Sequence, residues 1–360
     1  MIFFCKNLHF YKNLLIDKIQ FARIVLYLFF LGEIIKMKKL FNISKVFFVV
    51  LLVLSCFSCA TTKLPEVPTL TKYDDMMFWK IEGVDSKGKL ATIYVLGTIH
   101  VGDEELYPIP EVITNAYESA DRVYGEISTQ GWSELTGKTL SRVLTAMADA
   151  KAYTLETGIV WYDTLTSEQK NFLETKLGKT VVDANKELMP WVLYSGLSDL
   201  AMTGSGLTAA FSYDVHFISL SNQLEIEMLG LDDVDVQLDV LSYGDMDFQL
   251  KMMKDTIDKF LENPDFEKEE TIALYNAYLS GDEKKLEEVL FAGMEEEIAE
   301  NPEMQGYYNA LFVDRNINWA EIFTQLIAEG GQTFVFAGSG HFIGADSVFD
   351  FMKRKGDLVF

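Results

Sequence analysis

Cysteine is nearly missing from this chain: there are three in 360 residues, Cys5, Cys56 and Cys59, all ahead of residue 60. That distribution excludes a disulfide-stapled scaffold and a cysteine-ligated zinc site in the body of the chain. Histidine is limited to His9, His100, His216 and His341, so only three can serve the body. Positive charge is also scarce, with 31 Lys+Arg against 54 Asp+Glu and a formal net charge of -23. A nucleic-acid binder needs a basic footprint, and a polybasic membrane-surface protein needs clustered Lys and Arg. The acidity argues against both. What is plentiful is apolar content, 49% of residues, enough over this length for one large or two small domains with a proper core.

The charge is unevenly placed. Residues 1–55 carry eight basic and two acidic side chains, which leaves the rest of the chain near -29. A short basic, apolar head before a long acidic body reads as a targeting segment. From Met37 the chain runs MKKLFNISKVFFVVLLVLSC: a positive start, then the unbroken apolar run Val46–Leu54. Nine residues cannot span a bilayer as a helix, which takes ~20, but they fit the apolar segment of a secretory signal. Val53-Leu54-Ser55-Cys56 resembles the lipobox of bacterial lipoproteins, which makes Cys56 the expected lipidated residue, with Cys59 as a second candidate. The expected organisation is therefore an over-extended start over 1–36, a lipoprotein signal peptide over 37–55, a tether over 56–75 and a folded domain over 76–360. Such a chain belongs in the cell envelope, outside the cytoplasm and anchored to the membrane by lipid.

In the body, Phe78–Val84 and Thr92–Leu96 read as strands around the turn Asp85–Lys89, a hairpin signal. Pro110 is expected at the first position of a helix over Glu111–Ala120. Arg122–Ile127 alternates as a buried strand, residues 133–203 read as helical, and Glu225–Gly230 reads as a short strand. A charged helical stretch follows to about Gly330, with breaks at Asn263-Pro264, Gly281 and Asn301-Pro302. Thr333–Ala337 is expected as a strand, Asp346–Lys355 as a helix and Leu358–Phe360 as a last strand. The predicted fold class is α/β, a sheet assembled from N- and C-terminal strands with a helix-rich middle region.

One short pattern recurs. Gly97-Thr98-Ile99-His100 and Gly338-Ser339-Gly340-His341 each follow an apolar strand, and the glycine is expected to permit a sharp turn there. Strand Arg122–Ile127 ends comparably in Gly125-Glu126. The C-terminal edge of an open α/β sheet is where ligands bind. If the three strands are parallel neighbours, His100, Glu126 and His341 converge there. Two His and one carboxylate suffice to hold a catalytic divalent metal with an open position. Such a metal lowers the pKa of bound water to ~7 and polarises a carbonyl, as amide hydrolysis requires. Glu126 is either a ligand or a general base, and the sequence leaves that open. Ser339 lies in Ala337-Gly338-Ser339-Gly340-His341, which lacks the pattern of a serine nucleophile elbow, and His216 reads as a core or surface histidine.

YVLGTIHVG, VYGEI, VDRNINWA and FVFAGSGHFIGADSV together resemble the TraB/GumN family, which includes the Tiki metalloproteases. The resemblance implies a Tiki/erythromycin-esterase-like α/β domain with a divalent metal, Mn2+ or Co2+, held by His100, His341 and Glu126. It also carries over Arg315-Asn316 as the family's Arg-Asn pair, placing Arg315 among the catalytic residues and both in substrate binding. Arg315 is suited to stabilise an oxyanion or anchor a substrate carboxylate; its ordinary alternative is a helical pair with Asp314 or Glu321. Where many members have Gly-Leu-Glu, this chain has Gly230-Leu231-Asp232. The implied function is a membrane-tethered, metal-dependent hydrolase acting on extracytoplasmic peptides or proteins. The alternative is a non-catalytic lipoprotein that binds or sequesters such a partner.

Overall fold

The computed structural model describes residues 67–201 and 205–359. The expected signal peptide over 37–55, Cys56 and Cys59 lie outside the described residues.

Six strands form one sheet: β1 (Thr69–Lys72), β2 (Phe78–Val84), β3 (Leu90–Thr98), β4 (Arg122–Ile127), β5 (Met228–Asp232) and β6 (Gly331–Gly338). Their order is β1-β2-β3-β6-β4-β5. The first three pair antiparallel, and β3, β6, β4 and β5 pair parallel. The expected mixed α/β class holds, and the strands that precede His100, Glu126 and His341 are indeed parallel neighbours. The two central parallel strands, β3 and β6, are apolar over most of their length, as strands covered on both faces must be: Ile93, Val95, Phe334 and Val335 are each at most 1% exposed.

The β2–β3 hairpin forms where expected, its turn closed by the Asp85 carboxylate accepting from the Lys87 and Lys89 amides. Helix Glu111–Ser119 also forms, although Pro110 stands at its N-cap rather than inside it. The helical stretch after β4 begins at Thr129, capped by Ser128, and Thr166 closes a capping box with Gln169 at the helix Ser167–Leu173. Two core clusters result. One fills both faces of the sheet, around Trp79, Phe217, Trp319 and Phe334. The other lies within the helical region, around Trp161, Leu173, Leu197 and Met253.

The helix expected over Asp346–Lys355 starts at Val348, after the Ser347 cap, and three other boundaries differ more from expectation. Thr69–Lys72, assigned to the tether, is an edge strand whose four residues pair with β2 from Trp79 to Glu82. The strand expected over Glu225–Gly230 starts later, at Met228: Glu225 takes a left-handed φ of 57°, and the Ile226 amide bonds back to Ser221, so the chain is still turning out of the preceding helix. The expected last strand reduces to an isolated bridge between Val359 and Thr69.

Candidate functional site

The site is built where β3, β4 and β6 end. Thr98 and Gly338 are direct parallel partners in the sheet, so the two Gly-x-x-His segments leave its edge side by side. The glycines serve a purpose other than a left-handed turn. Gly97 and Gly338 are not among the positive-φ glycines, and a Cβ on Gly97 would lie 2.8 Å from Ser339 Oγ and 2.9 Å from the Trp79 ring. Close approach of the two segments is what excludes a side chain there. Ser339 seals the junction, its buried hydroxyl donating to the Thr98 carbonyl at 2.8 Å, which leaves it no nucleophile's role.

His100, Glu126 and His341 all line one cavity of about 290 Å³. His341 is buried, its ring 4.2 Å from Trp319 and 5.3 Å from Phe312, centre to centre. Its Nδ1 lies 2.6 Å from Asn316 Oδ1. Asn316 Nδ2 donates to the Asp346 carbonyl, which fixes the amide so that Oδ1 faces the ring. Nδ1 must then carry the proton, and Nε2 keeps its lone pair. Burial, aided by repulsion from Arg315, pushes the His341 pKa down to about 3, so the ring is neutral at pH 7.

His100 is the opposite case. Its side chain is 74% exposed, and Nδ1 lies 3.4 Å from Asp214 Oδ2. Asp214, in the first turn of helix Tyr213–Gln223, is itself oriented by the Thr98 hydroxyl at 2.7 Å. This hydrogen bond raises the His100 pKa, although water screens a pair so exposed. In its neutral form the ring keeps its proton on Nδ1, facing the carboxylate, and again leaves Nε2 open.

Glu126 sits in a dense polar network. Its Oε2 accepts from Arg315 Nη2 at 2.8 Å and Gln237 Nε2 at 3.0 Å, and its Oε1 accepts from the Gly338 amide at 2.9 Å. Burial by itself raises the Glu126 pKa, but His341, Arg315, His100 and the Gly338 amide more than reverse that and hold it at about 2. The carboxylate therefore stays ionised and is a poor proton acceptor near neutral pH.

Arg315 pairs with neither Asp314 nor Glu321. It donates to Glu126, to Asp232 Oδ2 at 2.7 Å through Nε, and to the Leu311 carbonyl at 3.0 Å through Nη1. Asp232 is buried, with its other oxygen taken by Trp319 Nε1 at 2.7 Å. Burial raises the Asp232 pKa against the pull of Arg315. The Gly-Leu-Asp segment thus supplies a second carboxylate to the buried arginine. Asn316 spends its carbonyl on His341 and donates to Asp346. Its visible work is to orient a histidine.

Sequence reasoning missed Asp214 and Gln237. The signal for Asp214 was present in Tyr213-Asp214-Val215-His216, but attention fell on the histidine. His216 packs between Tyr107 and Phe217 and lines neither cavity that borders the site. Gln237 carried no signal, since only the fold brings it between Glu126 and Asp232.

The donor chemistry suits a divalent cation: the open Nε2 of His341, the Nε2 of His100 once it gives up its proton, and an ionised carboxylate face one cavity. The set is not drawn together, however. Among the described residues no group of three or more His, Cys, Asp or Glu lies close enough to hold an ion. His100 is the member with room to move, because its ring is in solvent.

Residues 77–359 match the family model described as the TraB/PrgY/gumN family. A protein of Treponema pallidum (strain Nichols), named "Uncharacterized protein", is 29% identical over 314 residues, 86% of this chain and 90% of its own. No solved structure matches the chain. With both Gly-x-x-His segments, Glu126 and the Arg315-Asn316 pair inside the matched span, the chain belongs to the TraB/PrgY/gumN family.

Proposed function

We propose that this chain is a divalent-metal-dependent hydrolase of peptides, tethered to the membrane by lipid at Cys56 and working outside the cytoplasm. The observation that carries the reading is the matched orientation of the two motif histidines: each has Nδ1 turned to a helix side chain, Asn316 or Asp214, which leaves Nε2 as the nitrogen available to a metal. Metal-bound histidines are ordinarily held this way by a second hydrogen-bonded group. His100 and His341 would hold the ion, Mn2+ or Co2+ by the family resemblance, with Glu126 as the anionic third donor. A bound ion would supply a Lewis acid and an activated water at neutral pH.

The chain's own groups do the rest. Arg315 neutralises the buried carboxylates of Glu126 and Asp232, so that the site keeps a modest negative charge. Trp319 and Phe312 fix the His341 ring, and Leu290, Leu311 and Phe312 give the cavity an apolar wall that limits water.

The test is incubation of the purified chain with a mixture of peptides, with manganese and with chelator, followed by mass spectrometry. Manganese-dependent cleavage that disappears in His341→Ala is expected. Peptide capture without cleavage, indifferent to chelator, would favour a binding lipoprotein instead.

A further inference from the structure

His100, Glu126 and Gln237 line two cavities rather than one. The first, of about 290 Å³, is walled on its far side by Leu274, Leu286, Leu290 and Phe312. The second, of about 440 Å³, is walled by Trp132, Leu135, Ile218, Leu238 and Phe336. The polar cluster is therefore a partition between two apolar chambers, each near the size that holds a small organic group. The rim of the second chamber also carries exposed large apolar side chains, Trp132 at 44%, Val215 at 42% and Leu241 at 44%. Apolar surface of that kind beside a polar site marks a binding groove.

Charge narrows the occupant further. Neither lining includes a lysine, and the one arginine, Arg315, is committed to Glu126, Asp232 and Leu311. A peptide's terminal carboxylate finds no lysine and no uncommitted arginine in either lining, and the body of the chain is strongly acidic, which repels acidic peptides at long range.

We propose, resting on the hydrolase reading above, that the substrate is an uncharged or cationic peptide with a large apolar side chain on each side of the bond cut. The peptide lies across the partition with one such side chain in each chamber, and the cut is internal. In the reaction the oxygen of water bonds to the carbonyl carbon, the C–N bond breaks and a proton from water passes to the departing amine. The Trp132 wall sets the preference on one side of the bond.

The test uses the full chain with manganese and short peptides blocked at both ends, differing only at two central positions: Leu-Leu, Gly-Gly, Lys-Lys and Asp-Asp. Cleavage of Leu-Leu is expected to exceed Gly-Gly and Asp-Asp by about tenfold or more in kcat/KM. Trp132→Glu should lower the Leu-Leu value about tenfold, and Trp132→Phe should restore most of it. Thermal melting of both variants should match the parent, since Trp132 is half exposed. Equal cleavage of all four peptides, a requirement for a free carboxyl terminus, or indifference to Trp132→Glu would overturn the proposal. If no peptide is cut, binding of the same peptides followed by fluorescence decides it. Leu-Leu bound at least about tenfold more tightly than Asp-Asp, and loosened by Trp132→Glu, would sink the hydrolase reading and uphold the chambers. Equal binding would end both.

Discussion

The two Gly-x-x-His segments leave adjacent strands in the same direction, yet their histidines live in different surroundings. His341 is buried, clamped by two aromatic rings and held by a neutral amide. His100 is in solvent and held at 3.4 Å by a carboxylate. A four-residue motif therefore fixes where a side chain emerges, while the helix that covers it fixes what that side chain can do. The His341 half is welded into the core through Trp319, Arg315 and Asp232. The His100 half rests on one loop and one turn of helix. Damage to the first should show as lost stability, and damage to the second as lost binding in a protein that remains folded.

The sharpest break of that contrast is Arg315→Ala. It strands two buried carboxylates, and removing one partner of a buried ion pair costs ~3–5 kcal/mol. Urea denaturation should show a midpoint lowered accordingly, and an unchanged midpoint would mean the network is ornamental.

Asn316→Ala comes next. It leaves His341 Nδ1 without its acceptor in a buried place, for ~1–3 kcal/mol. Proton-coupled 15N spectra of the metal-free protein should show the proton no longer confined to His341 Nδ1. In the parent they should show it there.

Acid offers a third test, on the metal-free protein. The folded pKa of Glu126 is depressed to about 2 and that of His341 to about 3, both below their unfolded values. The unfolded state therefore binds protons first, and stability must fall as pH falls. The His341 contribution is whole above about pH 6.5 and drains toward 3; that of Glu126 is whole above about 4.5 and drains toward 2. The raised pKa of Asp232 acts in the opposite sense. His341→Ala should flatten the slope between pH 6 and 4, whereas His100→Ala should not.

The smallest effect belongs to His100→Ala. A substitution at so exposed a position should change stability by no more than about 0.5 kcal/mol while still abolishing manganese-dependent cleavage. A large loss of stability would mean that His100 is a structural residue after all.

What could be read from sequence follows the same divide. Strands β3 and β6 were legible as apolar runs leading into glycine and β4 as an alternating buried strand, and from their ends came His100, Glu126 and His341. Arg315-Asn316 was legible only as a resemblance, and its work was not. Glu126 and Asp232 are 189 and 83 residues from Arg315, and local helical spacing pointed to Asp314 and Glu321. Asp214 reaches His100 across 114 residues, and Gln237 reaches Glu126 across 111. Such partners are chosen by how helices dock on the sheet edge, which no local pattern records. Strand β1 escaped notice for a simpler reason: TLTK, after a proline-containing stretch, is too short and too polar to stand out.

The central claim is that two histidines of unlike surroundings serve one metal ion. Manganese titration of the parent chain and of the His100→Ala/His341→Ala double variant, read by calorimetry with elemental analysis, tests it most directly. The account predicts close to one ion per chain in the parent and essentially none in a folded double variant. Undiminished manganese binding in that variant would contradict it.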